Sequence, residues 1–444
     1  MRTQVPKQEL FQQLWPDSAG IDVGSSSHFV SVPPDRDSTS VREFSAVTSG
    51  LEALADWLKA CRVVRVAMES TGVYWIALFE LLCERGFEVV LVDARRVKNV
   101  SGRKSDVLDC EWLRRLHSYG LLSGAFRPES QVCALRAIVR HRMRLIEDAG
   151  RYIQRMQKSM HEMNIKLDRV VSDVTGHTGL QIIRAIAAGE RDPKVLAGFR
   201  DKRCRASAHE IEEALKGHFR AEHVFVLSQA LACFDFLQLQ IAGCDEQMEA
   251  QLSVWHSAIT DIPKAKARKA TGRNHPSIDL HTQMVRLLGV DVSGMPGMDP
   301  YTVLRITSEV GVDMSAFATV GNFTSWMGLC PGTKVSGGKV LSSRTAAVAN
   351  KAARAFRLAA WAAGRTQTAI GAFYRRLKAR LGAPKAITAT AHKMARIFYT
   401  MVKTGTPYEE HGAAAYEQAY RERTLQALKR RAQNLGFELV CVST

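Results

Sequence analysis

The sequence predicts a chain of mixed class: an α/β unit built on a mixed sheet, followed by a longer and almost wholly α-helical region. Two observations carry this reading. Between Ala19 and about Leu122 strand and helix periodicities alternate, whereas beyond Glu129 the apolar spacing is helical nearly throughout. A third bears on partners: 61 Lys+Arg against 44 Asp+Glu leave a formal charge of +17 on 444 residues, which calls for a polyanion. With 46% hydrophobic and 24% charged residues the chain has material for packed cores, which excludes disordered and fibrous classes.

Taken in order, GIDVG and HFVSV read as strands, VREFSA as a third, LEALADWLKAC as an amphipathic helix and VVRVAMES as a strand. Helix VYWIALFELLCERG, strand FEVVLVDA and helix DVLDCEWLRRLHSYGLL follow, the helices closing near glycines. This order makes the first and fourth strands central neighbours. From Glu129 to about Asp168, Leu135, Ile138, Met143, Ile153, Met156 and Met160 recur near helical spacing, so one long helix is expected, reaching out to pair with another. Residues 173–260 read as helical scaffold, and 261–281, rich in Lys, Arg, Pro and Gly, as an exposed basic linker. A second compact unit spans about Thr282 to Tyr408, and a basic helical tail ends the sequence. The expected domains are therefore 17–125, 126–281, 282–408 and 409–444.

The nine cysteines form no Cys-x-x-Cys pair and no histidines sit at zinc-ligand spacing, which argues against structural zinc and a disulfide framework. The opening residues lack a signal-peptide core, and the most apolar later stretches, such as AFRLAAWAAG, look short and are flanked by Arg and Lys. A cytoplasmic protein with no membrane partner is the expectation.

Asp22 falls in the first strand, Glu69 at the end of the fourth, and Asp106 and Asp109 three apart on one helix face. If the sheet brings them together, four carboxylates share a pocket, and their mutual repulsion is relieved by hard cations, Mg²⁺ or Mn²⁺. Two such ions suit in-line displacement at a phosphodiester. Taken singly, each acid also fits a plain role: Asp22 and Glu69 as caps, Asp109 as surface. Arg103 and Lys104, just ahead of Asp106, either meet phosphates or form a solvated basic turn.

In GLCPGTKVSGGKVLSSR, Ser336 precedes Gly337 and Gly338 in what reads as a loop between helical segments, with Lys334, Lys339 and Arg344 around it. That charge favours a phosphate, although Ser-Gly-Gly is also a common flexible turn. Upstream, VSGMPGMDPYTVLRITSEVG reads as helix, glycine hairpin at Gly297, helix, a form that points backbone N–H groups at phosphates; an ordinary helical turn fits it too.

The segments AGIDVGSSSHFVSV, VAMESTGVYW and RKSDVLDCEWLRRL resemble the RNase H-like fold in its RuvC form, with an Asp-Glu-Asp-Asp set. Together with the later PG-x-x-x-SGGK run they resemble the insertion-sequence one-ten family of transposases, the bridge-RNA-guided DNA recombinases, over roughly residues 17–125 and 282–405. The resemblance implies that Asp22, Glu69, Asp106 and Asp109 bind Mg²⁺ and that Ser336 attacks a DNA phosphate to form a phosphoserine link. It further implies donor and target DNA and a structured noncoding bridge RNA as partners. A tetramer built from dimers, with composite active sites and the 129–168 helix as dimerising element, belongs to the same implication. Two departures stand out: a longer 173–280 stretch, and SSRTAAVANKAARAF where a GR-x-x-K-x-GN run is usual, with Arg344 and Asn350 matching only its Arg and Asn. The competing readings are a RuvC-like nuclease without a covalent intermediate, an actin-like sugar kinase using GIDVGSSSHFV as phosphate loop, and a noncatalytic nucleic-acid scaffold.

Overall fold

The computed structural model describes residues 12–92, 106–259, 272–346 and 350–440, and of Asp106 only the backbone. The chain divides into two compact units, 1–127 and 128–444.

In the first unit, β1 (Ser18–Val23), β2 (Ser27–Ser31), β3 (Val41–Ser45), β4 (Arg65–Glu69) and β5 (Glu88–Val92) form one sheet in the order β3-β2-β1-β4-β5. β1 runs antiparallel to β2 and parallel to β4, with Ile21 beside Met68, so the sheet is mixed and its two central strands are the expected ones. Strand alternation sorts the two faces. Ile21, Val23, Val30 and Met68 pack under α1 (Thr48–Ala60) and α2 (Trp75–Glu84), together with Leu54, Leu58, Leu78 and Leu82. The opposite face, which carries Gly20 and Asp22, receives α3 (Asp106–Ser118). The helices expected to close near glycines do so at left-handed Gly86 (φ 86°) and Gly120 (φ 70°), and α1 is followed by Arg62 in the same conformation (φ 57°). This is an RNase H-like arrangement followed by a helical region.

The second unit is built on α4 (Ser130–Glu162) and α9 (Ala221–Ser253), two helices of 33 residues that pair antiparallel. Between them α5 (Leu167–Val170), α6 (His177–Ala188), α7 (Pro193–Ala197) and α8 (Ala208–Ala214) close one end over Met156, Met160, Ile182, Ile186, Leu227 and Phe234. The long helix thus has its partner in the same chain, and the apolar face expected to make a dimer is covered by α9 over much of its length. Helix α9 also corrects the view that apolar stretches here are short. By length and composition alone it could cross a membrane, yet Asp245 on its packed side is bonded to α4.

Arg142 of α4, 1% exposed, donates to both carboxylate oxygens of Asp245 (2.5 and 3.4 Å), to the Asn274 carbonyl (2.9 Å) and to the Tyr301 hydroxyl (3.2 Å). Asp245 also accepts from the backbone N–H of Ser277 (3.0 Å). The stretch expected to be an exposed basic linker is therefore anchored over its second half. Arg273 pairs with Asp173, and α10 (Leu280–Leu288) begins inside it with Leu280 and His281 buried. Its first part, 260–271, lies outside the described residues.

Beyond α10 come α11 (Pro300–Val310), α12 (Val320–Trp326), the hairpin β6 (Lys334–Ser336) and β7 (Lys339–Ser342), α13 (Lys351–Ala363), α14 (Ala369–Leu381), α15 (Ala383–Thr404) and the exposed α16 (Gly412–Asn434). Alanines at 352, 353, 355, 359, 360 and 363 make α13 thin enough to be buried among its neighbours. Gly297 (φ 81°) lies against it: an added Cβ would sit 2.2 Å from the Ala359 carbonyl oxygen. That close approach accounts for the glycine in packing terms.

Two predictions follow from buried polar groups. Asp245→Ala strands a buried guanidinium and is expected to destabilise the second unit by about 3–5 kcal/mol in chemical denaturation, whereas Arg142→Met with Asp245→Leu costs far less. In the first unit, His28 and His117 are buried, with Nδ1 of the first and Nε2 of the second unpaired among the described residues, and burial lowers both from 6.5. Their unfolded forms take protons first, so stability is full above pH 6.5 and falls as pH drops below it. Thermal unfolding of His28→Gln between pH 7 and 5 should show a flatter decline than wild type.

Candidate active site

Close approach of helix and strand assembles the acidic part of the site. A Cβ on Gly20 would lie 2.3 Å from the Cys110 carbonyl oxygen and 2.4 Å from the Arg114 nitrogen, so only glycine lets the α3 backbone rest on β1. Asp22, two residues along, shares Gly20's face, and its charge is felt at Cys110, whose thiol burial and Asp22 push up to about 12. Asp22 is thus on the sheet face that α3 covers near Cys110, the neighbour of Asp109. The parallel register that sets Gly20 beside Ala67 and Ile21 beside Met68 carries Asp22 next to Glu69 on that face, one inter-strand spacing of about 4.8 Å away. Asp22, Glu69 and Asp109 are all half-buried. Asp106 opens α3, one helical turn before Asp109.

Arg114 anchors the helix behind them. Its guanidinium is buried, donates to the Ser31 hydroxyl (3.2 Å) and is held below its ordinary value by burial. Among the described residues no three Asp, Glu, His or Cys side chains close on one point. The donor set on this face, carboxylate oxygens flanking a helix start, suits a hard divalent cation rather than zinc. Arg103 and Lys104 lie outside the described residues.

Ser336 corrects the expected loop. It ends β6, pairs with Lys339 and stands at the tip of a two-residue hairpin whose Gly337 (φ 53°) and Gly338 (φ 76°) supply the positive φ values of a type I′ turn. An added Cβ at either glycine meets nothing within 4 Å, so backbone conformation and not crowding requires them. Lys-Val-Ser and Lys-Val-Leu-Ser alternate as strands do, in segments too short to stand out against helices. The hairpin projects into solvent: Ser336, Lys334 and Lys339 are exposed, and so are Val335, Val340 and Leu341 at 58%, 63% and 69%. At its root Gly332 donates to the Arg344 carbonyl (2.9 Å), and Asn350 caps α13 through the Ala353 N–H (3.1 Å).

Beside that root opens a cavity of about 1710 Å³, which Arg344 lines together with Lys385, His392, Lys393 and Arg396 of α15. His392 is kept below its usual value by burial and by Arg396, and its Nε2 lies 3.6 Å from Cys330 Sγ. Sequence reasoning missed this basic wall, although the spacing of 385, 392 and 396 places all three on one helix face.

Two family models match the chain. The DEDD transposase model of the IS110 group covers residues 19–165, which contain all four acids, and the model described as transposase, IS116/IS110/IS902 family, covers residues 291–375, which contain the Ser336 hairpin. A comparison with curated proteins finds no match.

The two kinds of glycine should behave differently. Gly20→Val is expected to push α3 off the sheet and cost about 1–3 kcal/mol or more in denaturation of the first unit. Gly338→Ala, in open space but at a left-handed φ of 76°, should cost the hairpin about 1–2 kcal/mol and leave the global unfolding transition in place.

Proposed function

From the premise that this chain belongs to the IS116/IS110/IS902 family of transposases, we propose that it exchanges DNA strands through a covalent phosphoserine link at Ser336, aided by Mg²⁺ held on Asp22, Glu69, Asp106 and Asp109. The observation that carries this reading is the exposed serine at the tip of a glycine hairpin flanked by Lys334 and Lys339, in a chain that also presents a DEDD face. Mg²⁺, or Mn²⁺ in its place, would neutralise charge on the transferring phosphoryl group.

The chain's own residues do the rest. Lys334, Lys339 and Arg344 draw in a phosphate and offset its developing charge. The Ser336 oxygen bonds to phosphorus as the bond from phosphorus to a deoxyribose oxygen breaks, and the serine proton is given up. A hydroxyl of the exchanged strand then attacks the phosphoserine and Ser336 leaves, so the number of phosphodiesters is unchanged and joining needs no ATP. Arg103, Lys104 and the backbone at Gly297, Gly337 and Gly338 add phosphate contacts that carry no sequence information.

Specificity in this reading comes from a structured noncoding RNA whose loops pair with donor and target DNA. The +17 charge supports that division of labour, since the protein holds backbones while base pairing reads sequence. Dimers joining as a tetramer would set the DEDD face of one subunit against the serine of another. The working division of the chain is 17–125 for the DEDD domain, 126–281 for scaffold, 282–408 for the serine domain and 409–444 for the tail, acting at the bacterial nucleoid.

The test is an adduct assay in cells that carry the native flanking DNA. Wild type should give a denaturant-resistant, protease-sensitive protein-DNA species, and both Ser336→Ala and Asp109→Ala should lose it. Cleavage that persists in Ser336→Ala with no adduct in wild type would make the protein a nuclease and the serine structural.

A further inference from the structure

A second cluster of charge lies in the helical unit where α4, α11 and the start of α13 meet. A small half-enclosed cavity of about 50 Å³ opens there, lined by Arg140, Arg144, Arg305, Lys351 and Arg354 against only two carboxylates, Glu147 and Glu309. Glu309 is already taken. Arg140 grips it through Nε and Nη2 (2.7 and 2.6 Å), and Arg136 approaches it from the side (3.5 Å). Arg144, Arg305, Lys351 and Arg354 make no ion pair among the described residues.

Such an arrangement is costly without an anion. Burial holds Arg305 below its ordinary value, with Arg354 lowering it further and Tyr301 and Asp299 opposing; burial, then Arg140 and Arg144, lower Lys351 against the pull of Glu309 and Glu147. Arg305 and Lys351 are half-buried and Arg144 and Arg354 stand exposed at the rim, so the hollow gathers more positive charge than Glu147 and Glu309 offset. The start of α13, a helix of 13 residues, adds the positive end of its dipole at Lys351. The space exceeds the roughly 10–15 Å³ that one water needs, and Arg and Lys together offer the forked and point donors that phosphate oxygens accept.

The geometry points to a phosphate site: the hollow between α4, α11 and α13 clamps one backbone phosphate of the DNA on which this chain acts, through Arg305, Lys351, Arg354 and Arg144. The clamp fixes the position of the duplex and carries no base recognition. Because Arg305 sits on α11 and Arg354 on α13, the phosphate would also tie together a helix before the Ser336 hairpin and the helix after it in sequence, with α12 between α11 and the hairpin. The inference rests on the DNA-acting reading of the chain but not on Ser336.

The experiment uses the full chain as wild type, Arg354→Gln, Lys351→Met and Ser336→Ala. Thermal midpoints are measured in inorganic phosphate and in chloride at equal ionic strength, and binding to a short DNA duplex and to a folded RNA is measured across salt. Phosphate should raise the midpoint of wild type and Ser336→Ala and not that of the two cluster variants. Each cluster variant should also flatten the log–log salt slope on DNA by about 0.9. Exposed Arg354 is chosen so that folding survives, and circular dichroism checks it. Equal phosphate stabilisation in all four proteins would overturn the site. Loss of that stabilisation with an unchanged DNA slope would leave a free-anion site, and a slope change on RNA alone would assign the cluster to RNA. Either result overturns the DNA clamp. A failed adduct assay with these signals intact would instead count against Ser336 chemistry alone.

Discussion

Arg142 lies between two 33-residue helices and donates four hydrogen bonds to protein. Its guanidinium reaches Asp245 across the helix pair, Asn274 on the segment that leaves it and Tyr301 at the start of α11. A charge this deep is tolerable only because its partners are fixed, and the fixing works in both directions. The α4–α9 pair cannot slide without breaking the ion pair, and α11 cannot leave without exposing it. The order of the larger unit, including where the serine hairpin and the basic hollow stand on it, depends on that one network.

In the smaller unit the equivalent constraint is steric. Gly20 removes a side chain where α3 must rest, and the helix then brings Asp109 over the strand that holds Asp22, while the parallel partner delivers Glu69. The same face that must be thin for packing is the one that gathers charge, so the fold places its acids where burial is incomplete. The opposite face is occupied by Leu and Val and has no room for chemistry.

Both glycine-dependent features were visible as glycines in the sequence, yet for different reasons. Gly337 and Gly338 answer to backbone conformation alone, and a helix-dominated context hid the short strands around them. The half-linker at 272–281 was misread because its polar residues look solvated until Asp173 and Asp245 are seen to bind them. A composition count cannot tell a lysine-rich tether from an arginine that closes a network. The hollow at α13 is hidden for a different reason, since its cations come from segments far apart in the chain, whereas the wall of α15 lies on one helix face and shows as a site only where Arg344 and the cavity meet it.

The sequence by itself determined the class of the protein: alternating periodicity set the strand order, the spacing of the acids put them on coherent elements, and joint motifs pointed to the family. These are local or pairwise properties, legible because periods of 2 and 3.6 are written in neighbouring residues. Only the tertiary structure decided which helix the long α4 would take as partner, that Ser336 stands at a hairpin tip, and where unpaired cations converge. The first and last depend on which distant surfaces meet, and such contact leaves no periodic trace in the chain; the hairpin is local, but strands of three and four residues are too short for a period of 2 to stand out.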